Sequence, residues 1–193
     1  MPLPLHIFED RYRLMISTCL EEELEFGVLL SNGKTVQSLG TLARIDSVIN
    51  EYEDGRMDIL TVGTHRIEVE DFHRDKAYLE GTVRRVTDKP EAPELLTTPA
   101  QQAVRSLETF AKEAGYTIDQ TVIDSIGYEE LSFFLAATDI FSLEEKQQLL
   151  KLRSTSERLK RVAEGLENQA QQRRLQEGVK KLLGSDQDIT HLF

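Results

Sequence analysis

One cysteine and no tryptophan occur in these 193 residues. A single thiol, Cys19, excludes an intrachain disulfide and a metal site built from several cysteines of one chain. No stretch approaches the roughly 18 consecutive apolar residues that a membrane span requires. The N-terminus has neither the basic segment nor the apolar run of a secretion signal, so the chain is expected to be soluble and cytoplasmic, with no membrane partner. Positive charge is scarce too: 23 Lys and Arg face 34 Asp and Glu, for a net charge of -11. Residues 1–88 hold 10 basic against 17 acidic residues (net -7), and residues 89–193 hold 13 against 17 (net -4). Neither half offers the clustered Lys and Arg that phosphate backbones need, and nucleic acid is not expected as a partner.

Motifs with defined chemistry are missing as well. Gly27 followed by Gly33-Lys34-Thr35 has the look of a phosphate-binding loop, but five residues separate the glycines where four are required. It also leads into strand-like sequence rather than a helix. His6, His65, His73 and His191 show no metal-ligand spacing, and no His-Glu-x-x-His or Gly-x-Ser-x-Gly occurs. His6, beside an apolar run, reads as a hydrogen-bonded structural residue. Cys19 reads as a packed thiol on the apolar face of a helix. The Glu21-Glu22-Glu23 run reads as a solvated helix end. Carboxylates abound, but nothing singles out a pair with the shifted pKa values that acid–base catalysis needs. We therefore assign no catalytic, metal-binding or cofactor-binding residue and expect no cofactor.

What is present begins with Pro4-Leu5-His6-Ile7-Phe8-Glu9-Asp10-Arg11-Tyr12, running into a helix. Pro2 and Pro4 keep the entry extended, and Glu9 and Asp10 favour the positive end of the helix. Phe8, Tyr12, Met15, Ile16, Cys19 and Leu20 fall at helical spacing, which predicts one buried face. Short strands follow: Glu25–Leu30, an Asn32-Gly33 turn, Thr41–Asn50 with apolar residues on both faces, and an Asp54-Gly55 turn. Met57–Val62, a bend at Gly63, Arg66–Glu70 and Tyr78–Val86 complete the series. Short strands, tight turns and one covering helix predict a small closed antiparallel barrel over residues 1–88.

Asp88-Lys89-Pro90-Glu91-Ala92-Pro93 disfavours regular structure and marks a boundary. Beyond it the apolar period changes from two to about 3.6. Residues 96–193 are expected to form a helical bundle. Its first helix is predicted to start at Thr98-Pro99, with Ala103, Val104, Leu107, Phe110, Ala111 and Ala114 inward and Gly115 at its end. Shorter helices are placed around Val122, Ile123 and Ile126, and around Leu131, Phe134, Leu135 and Thr138. A capping box at Ser142–Glu145 opens the next helix, with Leu149, Leu150 and Leu152 facing inward. The last and longest helix starts near Ser154, with Leu159, Val162, Ala163, Leu166, Ala170, Leu175, Val179, Leu182 and Leu183 as buried candidates. Its far end exceeds what the bundle needs, so it is solvated, folded back, or coiled against a second copy as a homo-oligomer.

The ordered series from Pro4 to Tyr12, Phe26-Gly27-Val28, Gly40 to Ile45, Asp54-Gly55-Arg56, Gly63 to Arg66 with Ile67-Glu68-Val69, and Tyr78-Leu79 resembles the N-terminal domain of Lon proteases. Leu131–Ala137, Glu145–Leu150 and Glu157-Arg158-Leu159 are similar to its helical continuation. The resemblance implies an α+β fold, a PUA-like β pseudo-barrel followed by an α-helical bundle with a long last helix. It also implies a substrate-recognition module that engages protein, with ATPase and peptidase domains residing elsewhere. Family members usually have a further strand, rich in Leu, Phe and Pro and ending in Phe-Pro-Gly, before the motif that here follows Met1. If that strand is absent, a neighbouring strand edge is exposed and could pair with another chain.

The expected function is non-catalytic binding of unfolded or damaged polypeptide segments, or service as an adaptor, with a protease or other protein as partner. The contact residues are not identified by the sequence. The alternative is an RNA-binding PUA-like protein, against which the acidity argues.

Overall fold

The structure, a computed structural model, describes residues 2–183. Residues 1–87 and 88–193 form two compact units. Met1, His191 and the side chain of Leu183 lie outside the described residues.

The first unit is built around β4 (Met57–His73), a 17-residue strand. Along one side its residues Met57–Glu68 pair with the 16-residue β3 (Val36–Glu51). On its other side β1 (Pro2–Ile7) takes Met57–Val62 and β5 (Glu80–Val86) takes Arg66–His73. β2 (Phe26–Ser31) pairs only with β3, and all ladders are antiparallel. The segments 57–62 and 66–70 thus belong to one continuous strand. Gly63 sits at its irregularity: Ala43 pairs with Gly63 and Leu42 with His65, leaving Thr64 as the extra residue, whose hydroxyl donates to the Leu42 carbonyl at 3.2 Å. Similar shifts leave Asp46 and Ile49 unmatched on β3 and Glu70 on β4. Each bulge adds bend and twist.

The expected closed barrel is not what forms. Among the described residues no ladder joins β2 to β1 or β5, because β1 and β5 both occupy the same side of β4 and leave β2 as the far edge. Core side chains come from alternate positions: Ile7, Phe26, Ala43, Met57 and Ile59 pack with Ile16 and Cys19 of α1 (Asp10–Glu21). Here α1 differs from its prediction. Only Ile16 and Cys19 are fully buried, whereas Phe8 is 60% and Tyr12 37% exposed, and Leu20 is exposed as well. Twelve residues place two positions squarely on the sheet. Phe8 precedes the helix and is out of its phase.

The helix ends in a reversed turn. Leu24 N–H donates to the Cys19 carbonyl at 2.9 Å, and Glu23 adopts φ 55, a left-handed conformation normally given to glycine.

In the second unit α2 (Pro93–Ala114) starts earlier than the Thr98-Pro99 signal suggests. Pro93 takes the first helical position, and Pro99 lies inside the helix, buried, where its missing N–H gives up one backbone bond. Gly115 ends it with φ 76. After α3 (Gln120–Ser125), α4 (Tyr128–Ala136) and α5 (Leu143–Lys151), the chain enters α6 (Thr155–Leu183). The capping box at Ser142 and Glu145 forms with both reciprocal bonds. Helices α2 and α6 run in the same direction: Ser106 donates to Glu167 at 2.8 Å, and seven residues further along both helices Arg174 donates to Glu113 at 2.6 Å.

Leu159, Val162, Ala163, Leu166 and Ala170 form the buried face of α6. The predicted stripe does not continue beyond them, since Leu175 is 58% and Leu182 87% exposed. The step from Ala170 to Leu175 is five residues, a turn of about 140° around the helix, which carries the later leucines off the bundle side.

The second unit is fastened at its start. Arg158, fully buried, donates from Nε to Ser132 Oγ (2.7 Å), from Nη1 to the Leu152 carbonyl (3.0 Å), and from Nη2 to Asp88 Oδ2. Its guanidinium lies 3.6 Å from the centre of the Phe133 ring. Asp88 also accepts from Thr155 Oγ1 at 2.7 Å, Lys89 N–H donates to the Arg153 carbonyl at 2.8 Å, and Glu91 accepts from Ser156 N–H at 3.2 Å. Burial alone would raise the Glu91 carboxyl, but hydrogen bonds from Ser156, Ser154 and the Thr155 backbone outweigh it and hold it below its ordinary value. The irregular 88–92 segment is therefore bonded rather than loose.

Two substitutions test these features. Arg158→Met, which removes a buried guanidinium and its bonds to Asp88, Ser132 and the Leu152 carbonyl, is expected to lower unfolding free energy by about 3–5 kcal/mol in urea titration. Glu23→Gly is expected to raise it by about 1 kcal/mol by relieving the left-handed glutamate.

Candidate functional site

Among the described residues, those the sequence draws attention to do not assemble into a reactive centre. Gly33 lies in the β2–β3 turn with φ 81. There Asn32 Oδ1 accepts from Lys34 N–H at 3.1 Å and from Thr35 N–H at 2.8 Å, and the chain goes on into β3. Those donors serve a hairpin turn, not a phosphate. Among the described residues no group of three His, Cys, Asp or Glu side chains could hold a metal ion. Burial, and secondarily the Glu22 carboxylate, push the Cys19 thiol upward, so it stays protonated at neutral pH. His73 Nε2 lies 2.9 Å from Thr82 Oγ1, and His65 is exposed.

His6 is bonded as the sequence reading expects, within a small surface cluster. Its Nδ1 lies 2.6 Å from Asp58 Oδ1 across the β1–β4 ladder, and Tyr52 OH donates to Asp58 Oδ2 at 2.7 Å. An ionised carboxylate only accepts, so Nδ1 carries the proton. Phe8 stacks on the imidazole with centroids 5.9 Å apart, Tyr52 meets it edge-on at 6.0 Å, and Arg56 lies over the Tyr52 ring. The hydrogen bonds from His6 and then Tyr52 hold the Asp58 carboxyl below its ordinary 3.8. No nucleophile belongs to this cluster. It fixes the end of β1 and displays an aromatic surface that includes the largely exposed Phe8.

In the helical unit a groove of about 530 Å³ runs between α2, α3 and the start of α4. Ala100, Val104, Ile123, Ile126 and Leu131 give it an apolar floor. Gln101, Arg105, Gln120 and Asp124 add polar groups, and Gln120 Nε2 donates to Asp124 Oδ1 at 3.2 Å. Tyr128 closes one end, its hydroxyl 3.3 Å from Thr97 Oγ1 on α2. Asp119 N-caps α3 through Thr121, whose side-chain and backbone hydrogen bonds hold the Asp119 carboxyl low. The floor is suited to apolar side chains. A second cleft, between α2 and α6, is lined by Thr109, Lys112, Glu113, Arg174 and Glu177.

Sequence reading named no contact residues. The helical period marks Val104 as an inward position and Ile123 and Ile126 as parts of a short helix. Their helical period predicts burial, but it does not distinguish a packed core from the wall of a groove.

The chain is an acidic α+β protein with exposed apolar surface on both units. Residues 1–168 match the family model of the ATP-dependent protease La (LON) substrate-binding domain, and the chain belongs to that family. It is 27% identical over 135 residues to a Lon protease from Solibacter usitatus (strain Ellin6076). That match covers 68% of this chain but 17% of the relative, so the chain spans a small part of that protein's length. The fold is similar to the Lon N-terminal domain protein from Xanthomonas campestris, with a TM-score of 0.62, 23% identity, and coverage of 84% of this chain and 88% of that one. It is likewise similar to the N-terminal domain of Mycobacterium avium complex Lon protease, with a TM-score of 0.68, 18% identity, and coverage of 86% and 89%. No helix among the described residues is long and apolar enough to cross a membrane.

The depressed Asp58 carboxyl sets a pH dependence. Its folded value lies below its unfolded value, so its contribution is complete above about pH 4 and disappears as pH falls through the folded value. Wild type should therefore exceed Asp58→Asn in melting temperature at pH 6. That margin should shrink steadily between pH 4 and pH 2, and a margin unchanged at pH 2 would contradict the assignment.

Proposed function

We propose that this chain is a non-catalytic recognition module that binds exposed apolar segments of unfolded or damaged polypeptides, in the cytoplasm, and presents them to a protease or other protein partner. Membership of the substrate-binding family across residues 1–168 carries this reading. The apolar groove floor and the exposed Phe8 and Ile49 support it, because a module for unfolded chains needs apolar surface that a folded client cannot reach. The net charge of -11 supports a protein rather than a nucleic-acid partner. In this reading the sheet unit and the helical unit serve as separate domains, no side chain acts as a catalyst or cofactor ligand, and any hydrolysis of the client belongs to another polypeptide.

Titration of the intact chain with a reduced, carboxymethylated protein and with its native form tests the proposal. The unfolded form should bind at least about tenfold more tightly, a difference of about 1.4 kcal/mol. Equal affinity for both forms, or none for either, removes the idea.

A further inference from the structure

The groove of the helical unit carries charge of opposite sign at its two ends. Its floor draws on three helices: Ala100 and Val104 stand one turn apart on α2, Ile123 lies on α3 and Leu131 on α4. Ala100, Ile123 and Leu131 are buried members of the core, so the floor is part of the packed interior of the unit. The end closed by Tyr128 and Thr97 is acidic. Glu129 and Glu130 follow Tyr128 in the first turn of α4, and Glu94 lies one turn before Thr97 on α2. Arg105 lines the groove two turns beyond Thr97, about 12 Å further along the helix axis.

These four charged side chains are exposed, and none of them forms an ion pair among the described residues. Asp124, the other charged residue of the lining, already accepts a hydrogen bond from Gln120. Unpaired charges beside an apolar trough favour an occupant that brings apolar residues and the complementary charges together. The distance between the charges sets its length. A trough of about 12 Å takes about four residues of extended chain, at roughly 3.3 Å each.

We infer that this groove receives a stretch of about four apolar residues of the client in extended form, with Lys or Arg at the end that meets Glu94, Glu129 and Glu130, and Asp or Glu at the end that meets Arg105. This deepens the proposed function and rests on it. The floor supplies affinity without selecting one apolar residue, because burial of apolar area has no direction. The end charges then choose among apolar stretches and fix which way each one lies. The guanidinium of Arg105 offers a fork of donors that matches a carboxylate, and the glutamates offer only acceptors. A folded client buries such a stretch, whereas an unfolded one exposes it together with its flanking charges.

The test uses the intact chain and hexapeptides blocked at both termini, titrated at low salt. In the mixed peptide four apolar residues stand between a lysine and a glutamate; in two companions both ends are lysine or both are glutamate. Wild type should bind the mixed peptide about threefold more tightly than the diglutamate one, with the gap closing at high salt. Arg105→Glu, an exchange at an exposed position, should weaken the mixed peptide about threefold and strengthen the dilysine peptide by a similar factor. Gly127 also lines the groove; its φ of -72 suits any residue, and a Cβ there meets nothing within 4 Å. Gly127→Trp therefore adds bulk at the wall without backbone strain and should weaken all three peptides about tenfold. An equal response of the mixed and dilysine peptides to Arg105→Glu, or unchanged binding by Gly127→Trp, would overturn the inference while leaving the recognition module intact if the carboxymethylated protein still binds. Failure of every peptide, with that protein bound, overturns it as well. Failure of the unfolded protein too removes the proposed function with it.

Discussion

A buried ion pair, Arg158 with Asp88, is the constraint on which the helical unit depends. A guanidinium removed from water is tolerable only when its donors are matched, and here Asp88, Ser132, the Leu152 carbonyl and the face of Phe133 share that task. These partners come from the segment before α2, from α4 and from the α5–α6 connection, and Arg158 itself stands in the first turn of α6. One side chain therefore requires four stretches of chain to be present together. Apolar packing at the same place would hold them with less geometric demand, since it lacks direction.

The sheet unit follows a different rule. Its long strands cannot stay flat, and the unmatched residues at Asp46, Ile49, Thr64 and Glu70 bend them. The end of β3 is exposed on both faces, with Val48 40% and Ile49 62% exposed, although Ala43 further back in the strand is buried.

Much of this architecture was legible from local chemistry. The Asn32-Gly33 and Asp54-Gly55 turns, the capping box at Ser142 and the change of period near residue 90 each depend on a few neighbouring residues, and they formed as read. The failures came where distant contacts decide. Thr98-Pro99 is a sound helix start taken alone, but Pro93 supplies an earlier one, and the buried packing of α2 accommodates the second proline. Leu175 and Leu182 are apolar and helical, yet a five-residue step rotates them off the bundle side. Phe8 was counted with α1 although it finds its partner in His6. The groove between α2, α3 and α4 was not legible, because periodicity reports that a side chain turns inward and not whether the space it faces is filled.

The parallel course of α2 and α6 has an electrical consequence. In an antiparallel pair the axial fields of neighbouring helices offset one another, whereas here the two longest helices point their amino ends the same way and their fields add. Their surplus positive potential gathers at one pole of the unit, where the chain supplies Asp88, Glu91 and Glu94 from a stretch of seven residues. The acidity that sets this protein apart from phosphate binders is, at that pole, the counterweight its own backbone requires.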